Sequence, residues 1–90
     1  MPAEDVYKSK AQLFKALAHP ARLLIVEKLL EKEQCVNDIR ELVKVSQPNM
    51  SQHLNILRFS GVVDFRRKGN LRCYFLNDAD KIRDILKALE

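Results

Sequence analysis

The chain has few of the residues that break helices and few of the cysteines that stabilise small secreted folds. Its 90 residues include two glycines, three prolines, two cysteines and no tryptophan. Its apolar runs all fall short of the roughly 18 residues that span a bilayer. The first five residues lack the basic start and apolar core of a secretion signal. These absences predict one mostly helical domain, located in the cytoplasm and without a membrane partner.

The sequence also lacks the groups that most enzymes use. It has no glycine-rich phosphate loop, and its two histidines, His19 and His53, do not stand in a metal-binding or nucleophile motif. Cys35 and Cys73 are 38 positions apart, which fits neither a disulfide framework nor a zinc ribbon. In the cytoplasm both thiols are expected to be reduced. We therefore predict that the protein is not an enzyme and has no cofactor.

What the chain does have is positive charge concentrated in one segment. The formal net charge is +4, and residues 65–77 contain no acid. Two β-rich runs, Val62–Lys68 and Leu71–Leu76, flank Gly69-Asn70, a pair typical of a two-residue hairpin turn. This register places Arg67 opposite Arg72 and Phe65 opposite Tyr74. Like charges directly opposite each other are unfavourable in isolation, so the pattern predicts an anionic partner for the hairpin. Its candidate binding residues are Arg66, Arg67, Lys68 and Arg72.

Residues 36–60 predict a helix-turn-helix, with a helix from Val36 to about Val43, a turn at Lys44-Val45 and a second helix that Ser46 would cap. In the second helix the apolar residues recur at i, i+4 and i+7, which directs them to a core. The opposite face is short, polar and free of acid, so it suits base edges in a major groove. The core positions are Met50, Leu54 and Leu57; the outward residues are Pro48, Ser51, Gln52 and Asn55, with Asn49 and Arg58 toward the edges.

The remaining segments predict helices at about residues 4–18, 20–31 and 78–89, with residues 31–34 as a solvated connector. The order helix, helix, helix-turn-helix, hairpin, helix is that of a winged helix, mainly α with one β-hairpin. We expect a single domain over residues 1–90, with the wing at 62–76. The first and last helices each keep an apolar stripe, which predicts a two-fold dimer through these helices. Such a dimer would hold two recognition helices about 34–36 Å apart.

Several motifs resemble the ArsR/SmtB family of winged-helix repressors, over about residues 12–86. They are Ala16-Leu17-Ala18-His19-Pro20-Ala21-Arg22-Leu23, Cys35-Val36-Asn37-Asp38-Ile39, the stretch from Val45 to Arg58 and Tyr74-Phe75-Leu76. The resemblance implies a homodimer that binds double-stranded operator DNA and is released by a metal or thiol-reactive signal. It places Gln47, Asn49, Ser51 and Gln52 at DNA-reading positions. His53 is expected to be a packed, hydrogen-bonded histidine.

The sensing residues depart from the family pattern. Arsenic-sensing members carry Cys-Val-Cys-Asp where this chain has Cys35-Val36-Asn37-Asp38, so one thiol of the pair is missing. Soft metals prefer several thiolates, and Cys35 alone offers no complete ligand set. Cys35 is expected at a helix N-terminus, which favours the thiolate. Oxidation, or bridging to Cys73, is then one hypothesis for the signal, and a chain that senses no small molecule is the alternative. Cys73 by itself is expected to pack within its strand.

The leading prediction is a homodimeric, sequence-specific DNA-binding repressor. Affinity would come from cations of the hairpin and specificity from the outward face of the second helix, with Ser46, Gln47, Asn49, Ser51, Gln52, Asn55 and Arg58 as candidates. The alternative is a winged-helix module that binds another protein. Salt dependence separates the two, because phosphate contacts weaken steeply as salt rises.

Overall fold

The computed structural model describes residues 4–90 and contains five helices and a three-stranded antiparallel sheet in that range. Residues 1–3, with which the predicted domain begins, lie outside the described residues. The elements follow the predicted order apart from one additional short strand, β1. They are α1 (Glu4–Leu17), α2 (Pro20–Glu31), β1 (Gln34–Cys35), α3 (Val36–Val43), α4 (Gln47–Phe59), β2 (Val63–Lys68), β3 (Leu71–Leu76) and α5 (Ala79–Lys87).

Local chemistry sets the helix boundaries. His19 caps α2 by accepting a hydrogen bond from the amide of Ala21, and Pro20 occupies the first turn, where a missing N–H is harmless. Ser46 caps α4 through the amide of Asn49. Between α3 and α4, Lys44 adopts a left-handed conformation with φ of 58° and ends α3. The two helices therefore form the predicted helix-turn-helix.

The core forms where α2 packs against the helix-turn-helix and the sheet. Tyr74 and the apolar face of α4 meet α2 there. The fully buried side chains include Ile25, Val26, Ile39, Met50, Leu54, Leu57, Val63 and Ile82. Replacing a fully buried leucine such as Leu54 with alanine would cost about 2–5 kcal/mol. Because its inner face is fixed in this way, α4 presents its polar face to solvent.

The hairpin has the predicted register. Phe65 pairs with Tyr74 and Arg67 with Arg72 in the β2–β3 ladder. Gly69 has a φ of +64°, as the first central residue of a type II′ turn requires. β2 begins at Val63 rather than Val62, and α5 ends at Lys87 rather than near Leu89.

The prediction of a solvated connector at residues 31–34 was wrong for Gln34, the last of these residues. Gln34 and Cys35 form β1, which pairs with Tyr74 and Cys73 of β3. Gln34 is buried, and its side-chain amide donates to the carbonyl oxygen of Lys28 at 3.0 Å. A strand of two residues has no readable periodicity, so only pairing with β3 reveals it.

The terminal helices leave apolar side chains uncovered. On α1 the exposed fractions are 54% for Val6, 55% for Tyr7 and 62% for Phe14, and Leu89 after α5 is 72% exposed. Leu13 and Leu17 on the neighbouring face of α1 pack against the core. Within residues 4–90 no helix is long and apolar enough to cross a membrane.

Candidate nucleic-acid interface

The outward face of α4 is mostly polar and exposed to solvent. Ser46, Gln47, Pro48, Asn49, Ser51, Gln52, Asn55 and Arg58 are all exposed, whereas Met50, Leu54 and Leu57 are buried. This division is the one that the sequence predicted. Apart from Pro48 and Arg58, these side chains are hydroxyls and amides, which both donate and accept hydrogen bonds, and none of the set carries a negative charge that would repel phosphate.

The wing continues this surface on one of its two sides. Arg72 and Asn70 of the wing line a shallow cavity of about 280 Å³ together with Gln47, Ser51 and Asn55 of the helix-turn-helix. Arg72 also lies over the ring of Phe65, with its guanidinium carbon 4.7 Å from the ring centroid. We call the side of the hairpin that carries Phe65, Arg67, Arg72 and Tyr74 the inner side of the wing. Arg72 and the face of α4 therefore form one surface.

The other side of the hairpin, which we call the outer side of the wing, carries Arg66, Lys68, Cys73 and Phe75. Its two cations are bound to an acid from outside the hairpin. Glu33 accepts from Arg66 Nε through Oε1 and from Lys68 Nζ through Oε2, both at 2.8 Å. Arg66 is also stacked over Phe75 at 4.7 Å. The hydrogen bond from Lys68, aided by the positive charge of Arg66, lowers the pKa of Glu33 below its ordinary value.

Glu33 was missed by sequence reasoning, which searched for acids only within residues 65–77. The predicted set of four wing cations is therefore divided in two. Arg66 and Lys68 have an internal partner, whereas Arg67 and Arg72 face the side of α4. The sequence carries no signal for this role of Glu33, because the strand that follows it has only two residues and leaves no readable pattern.

Arg58 is also engaged within the protein. Its Nε donates to Asp64 Oδ1 at 3.1 Å, and its guanidinium lies 4.5 Å from the ring centroid of Phe65. The amide of Phe65 and the Arg58 side chain both donate to Asp64 and lower the pKa of that carboxyl. Arg58 thus connects the end of α4 to the start of β2, and it remains an exposed cation at the edge of the predicted DNA face.

His53 lies beside the core, as expected, and takes part in a small cluster beneath α4. Arg22 donates to the carbonyl oxygen of Ala16 at 2.6 Å, and its Nη1 is 3.2 Å from Nδ1 of His53. The rings of His19 and His53 are 4.5 Å apart. Burial, together with repulsion from His19 and Arg22, lowers the pKa of His53. This cluster positions α4 on α2 and directs Nδ1 of His53 toward Arg22.

Cys35 and Cys73 face each other across the β1–β3 pair and are joined by a disulfide bond. The sequence predicted reduced thiols, and it offered bridging as one hypothesis only, since the 38-residue separation gives no sign that the two residues meet. Cys35 is the residue before α3, and its side chain makes no capping hydrogen bond. Cys73 is fully buried and lies directly opposite Arg66 in the adjacent strand. The bond therefore links the start of the helix-turn-helix to the middle of the wing.

In the part of the chain that the structure describes, no three His, Cys, Asp or Glu side chains are grouped so that they could hold a metal ion.

Comparison with known proteins places the architecture among regulators. Residues 19–64 match the family described as "Bacterial regulatory protein, arsR family". The HTH-type transcriptional regulator Rv0081 of Mycobacterium tuberculosis is 43% identical over 81 residues, which cover 89% of this chain and 71% of that protein. Its crystal structure superposes with a TM-score of 0.82 at 41% identity, covering 93% of this chain and 84% of that one.

Two further proteins show the same likeness. The HTH-type transcriptional repressor SmtB of M. tuberculosis is 36% identical over 88 residues, or 98% of this chain and 65% of that protein. A solution structure from Mycobacterium bovis, described as a homodimeric winged helix-turn-helix DNA-binding domain, has a TM-score of 0.87 at 26% identity. It covers 96% of this chain and 82% of the other.

Proposed function

Because the chain belongs to the ArsR family of bacterial regulatory proteins, we propose that it is a homodimeric repressor that binds operator DNA through α4 and the inner side of the wing. The family consists of transcriptional regulators rather than enzymes. One observation carries the proposal for the DNA surface: Gln47, Ser51 and Asn55 line a single cavity with Asn70 and Arg72. Base-reading groups and a phosphate-binding cation thus lie side by side.

The two parts of this surface have different tasks. The amides and hydroxyls of Gln47, Asn49, Ser51, Gln52 and Asn55 supply hydrogen bonds to base edges, and these distinguish one sequence from another. Arg67 and Arg72 supply charge to phosphates, which gives affinity for any duplex. Arg58 extends the charge at the far end of α4. The protein works in the cytoplasm, where bacterial operator DNA is found.

The dimer forms through the terminal helices. Tyr7 and Phe14 are seven positions apart on α1, so they lie on one face, and both are more than half exposed. Leu86 and Leu89 line a second apolar depression between α2 and α5, at the other end of the chain. A two-fold dimer that forms through α1 and α5 covers both surfaces. A solved relative described as homodimeric supports the dimer itself.

The signal is a thiol-disulfide exchange at Cys35 and Cys73. The two thiols react with one small-molecule disulfide, which becomes two thiols, while the protein gains one S–S bond and loses two hydrogen atoms. Formation of the bond fixes the start of α3 to β3. The two DNA-binding parts of the molecule, helix-turn-helix and wing, then lose freedom to adjust to the duplex. In this proposal the reduced protein binds the operator and the oxidised protein releases it.

Fluorescence anisotropy of the reduced protein tests DNA binding. The probe is a duplex from the region upstream of the gene, titrated at several salt concentrations beside a scrambled duplex. We expect selective binding that weakens steeply as salt rises. Equal affinity for both duplexes would contradict the proposal and favour the protein-interaction module.

The signal is tested on the same probe after oxidation with a small-molecule disulfide. The wild type should lose affinity on oxidation, while Cys73→Ser and Cys35→Ser should not respond. Addition of arsenite or zinc to the reduced protein provides the comparison for a metal signal. Selective binding that neither the disulfide nor a metal alters would mean that the bond is structural.

A further inference from the structure

Phe59, the last residue of α4, has the most exposed large apolar side chain in the described part of the protein. Its exposed fraction is 94%, whereas the next most exposed, Leu89, reaches 72%. Leu89 lies at the proposed dimer surface, but Phe59 lies at the end of the recognition helix. Single exposed apolar residues are common on protein surfaces, so the position of Phe59, rather than its exposure alone, indicates its role.

The helix geometry places Phe59 within the DNA-reading face. Phe59 follows Asn55 by four residues and Gln52 by seven, and these spacings return to the same side of an α-helix. The structure agrees, since Phe59 lines one shallow cavity with Pro48, Ser51, Gln52 and Asn55. At about 1.5 Å per residue, Phe59 lies roughly 10 Å beyond Gln52 along the helix, which is about three base pairs.

The chemistry of the ring defines what it recognises. A phenyl ring neither donates nor accepts an ordinary hydrogen bond, so it gains nothing from the polar atoms of a base edge. The major groove offers one prominent apolar group, the 5-methyl group of thymine, and phenylalanine is among the residues that contact it. Because contact removes apolar area of both partners from water, it favours thymine over cytosine or a base without the methyl.

We propose that Phe59 is a specificity-determining residue that packs against a thymine methyl group in the major groove, at the end of the site read by Ser51, Gln52 and Asn55. This inference rests on the proposed function, since it requires α4 to enter the groove. DNA is the partner of Phe59 in this proposal because the ring continues the polar face of α4, and that face is directed to the same groove. Sequence reasoning missed this role because phenylalanine in an amphipathic helix ordinarily indicates the core, although the spacing of Phe59 from Gln52 and Asn55 already favours the outward face.

The test uses the reduced full-length protein and a duplex obtained by in vitro selection from a random library. Each thymine of one half-site is replaced in turn by deoxyuridine, which lacks only the methyl group. We expect one replacement to weaken wild-type binding about fourfold, the effect of one buried methyl-sized group. Phe59→Ala should bind the parent duplex more weakly and show no loss at that replacement. Phe59→Leu, which keeps an apolar side chain, should retain part of the loss of affinity that wild type shows at that replacement.

The outcomes separate the two proposals. If wild type prefers the selected duplex but shows no loss at any deoxyuridine, or if Phe59→Ala shows the same loss as wild type, the role of Phe59 is refuted while repressor binding stands. If Phe59→Ala becomes monomeric in sedimentation equilibrium, Phe59 belongs to a protein interface instead, and the inference is also refuted. If wild type does not distinguish selected from scrambled duplex, the proposed function itself fails.

Discussion

Arg67 lies directly opposite Arg72 in the hairpin ladder, so both lie on the side of the hairpin that carries Phe65 and Tyr74, and Arg72 on that side lines a cavity with α4. Two guanidinium groups on one cross-strand pair repel each other in the free protein. Binding to phosphate relieves this repulsion, because the polyanion supplies a partner for each group. On the other side of the hairpin the cations already have Glu33 as a partner.

The first prediction compares the two sides of the wing. Replacement of Arg72 with glutamine should reduce the slope of log affinity against log salt by about one per protomer, because one phosphate contact is lost. The matched variant Arg66→Gln removes the same charge from the outer side and should leave the slope nearly unchanged. Anisotropy titrations on scrambled duplex at several salt concentrations measure both slopes. Equal reductions would show that DNA displaces Glu33 from Arg66.

The second prediction concerns Glu33 itself. Glu33→Gln keeps the shape of the side chain but removes the charge that holds Arg66 and Lys68, so both cations become available to phosphate. The salt slope should become steeper by up to about two per protomer, and binding to scrambled duplex should tighten.

The control is Glu31→Gln, which changes the net charge equally but lies at the end of α2, away from the wing, where Glu31 pairs with Lys28 at 4.0 Å. The same steepening in both variants would mean that total charge, rather than release of the wing cations, controls affinity.

The hairpin could be predicted in detail because its information is local. Gly69 and Asn70 define the turn, and a turn of known length fixes the pairing of Arg67 with Arg72. The helix-turn-helix was equally readable, since Met50, Leu54 and Leu57 repeat with the helical period and Ser46 supplies the cap. Both elements were confirmed with boundaries within one residue.

Contacts between segments distant in the chain could not be predicted. Glu33 meets Lys68, and Cys35 meets Cys73, only because β1 pairs with β3, and a two-residue strand leaves no pattern in the sequence. The outward position of Phe59 was missed for a different reason. Its spacing from Gln52 and Asn55 was readable, but a phenylalanine in an amphipathic helix is ordinarily assigned to the core.

The third prediction tests the dimer surface. Phe14→Asp places a charge in the exposed apolar face of α1 and should convert the dimer to monomer at micromolar concentration, because burying an unpaired carboxylate is costly. Sedimentation equilibrium gives the mass directly. Phe59→Asp introduces the same change on α4, away from the terminal helices, and should remain dimeric. A dimeric Phe14→Asp protein would place the interface elsewhere.

The last prediction uses the lowered pKa of His53. When the folded-state pKa lies below the unfolded value of about 6.5, the unfolded chain binds the proton more readily, so unfolding is favoured at low pH. The contribution of neutral His53 to the free energy of unfolding is complete above about pH 6.5 and declines as the pH falls toward the folded-state pKa. Protonation also removes Nδ1 of His53 as an acceptor for Arg22, which weakens the contact between α2 and α4.

We therefore expect the urea midpoint of the wild type to fall between pH 7 and pH 5 by more than that of His53→Gln, whose amide oxygen keeps an acceptor for Arg22 but does not titrate. His19→Asn, which retains a cap acceptor for α2, separates the contribution of the neighbouring ring. Parallel midpoints for wild type and His53→Gln over this range would show that other groups govern the pH dependence. A difference confined to the region below about pH 6.5 identifies His53 as the residue through which acid loosens the recognition helix from α2.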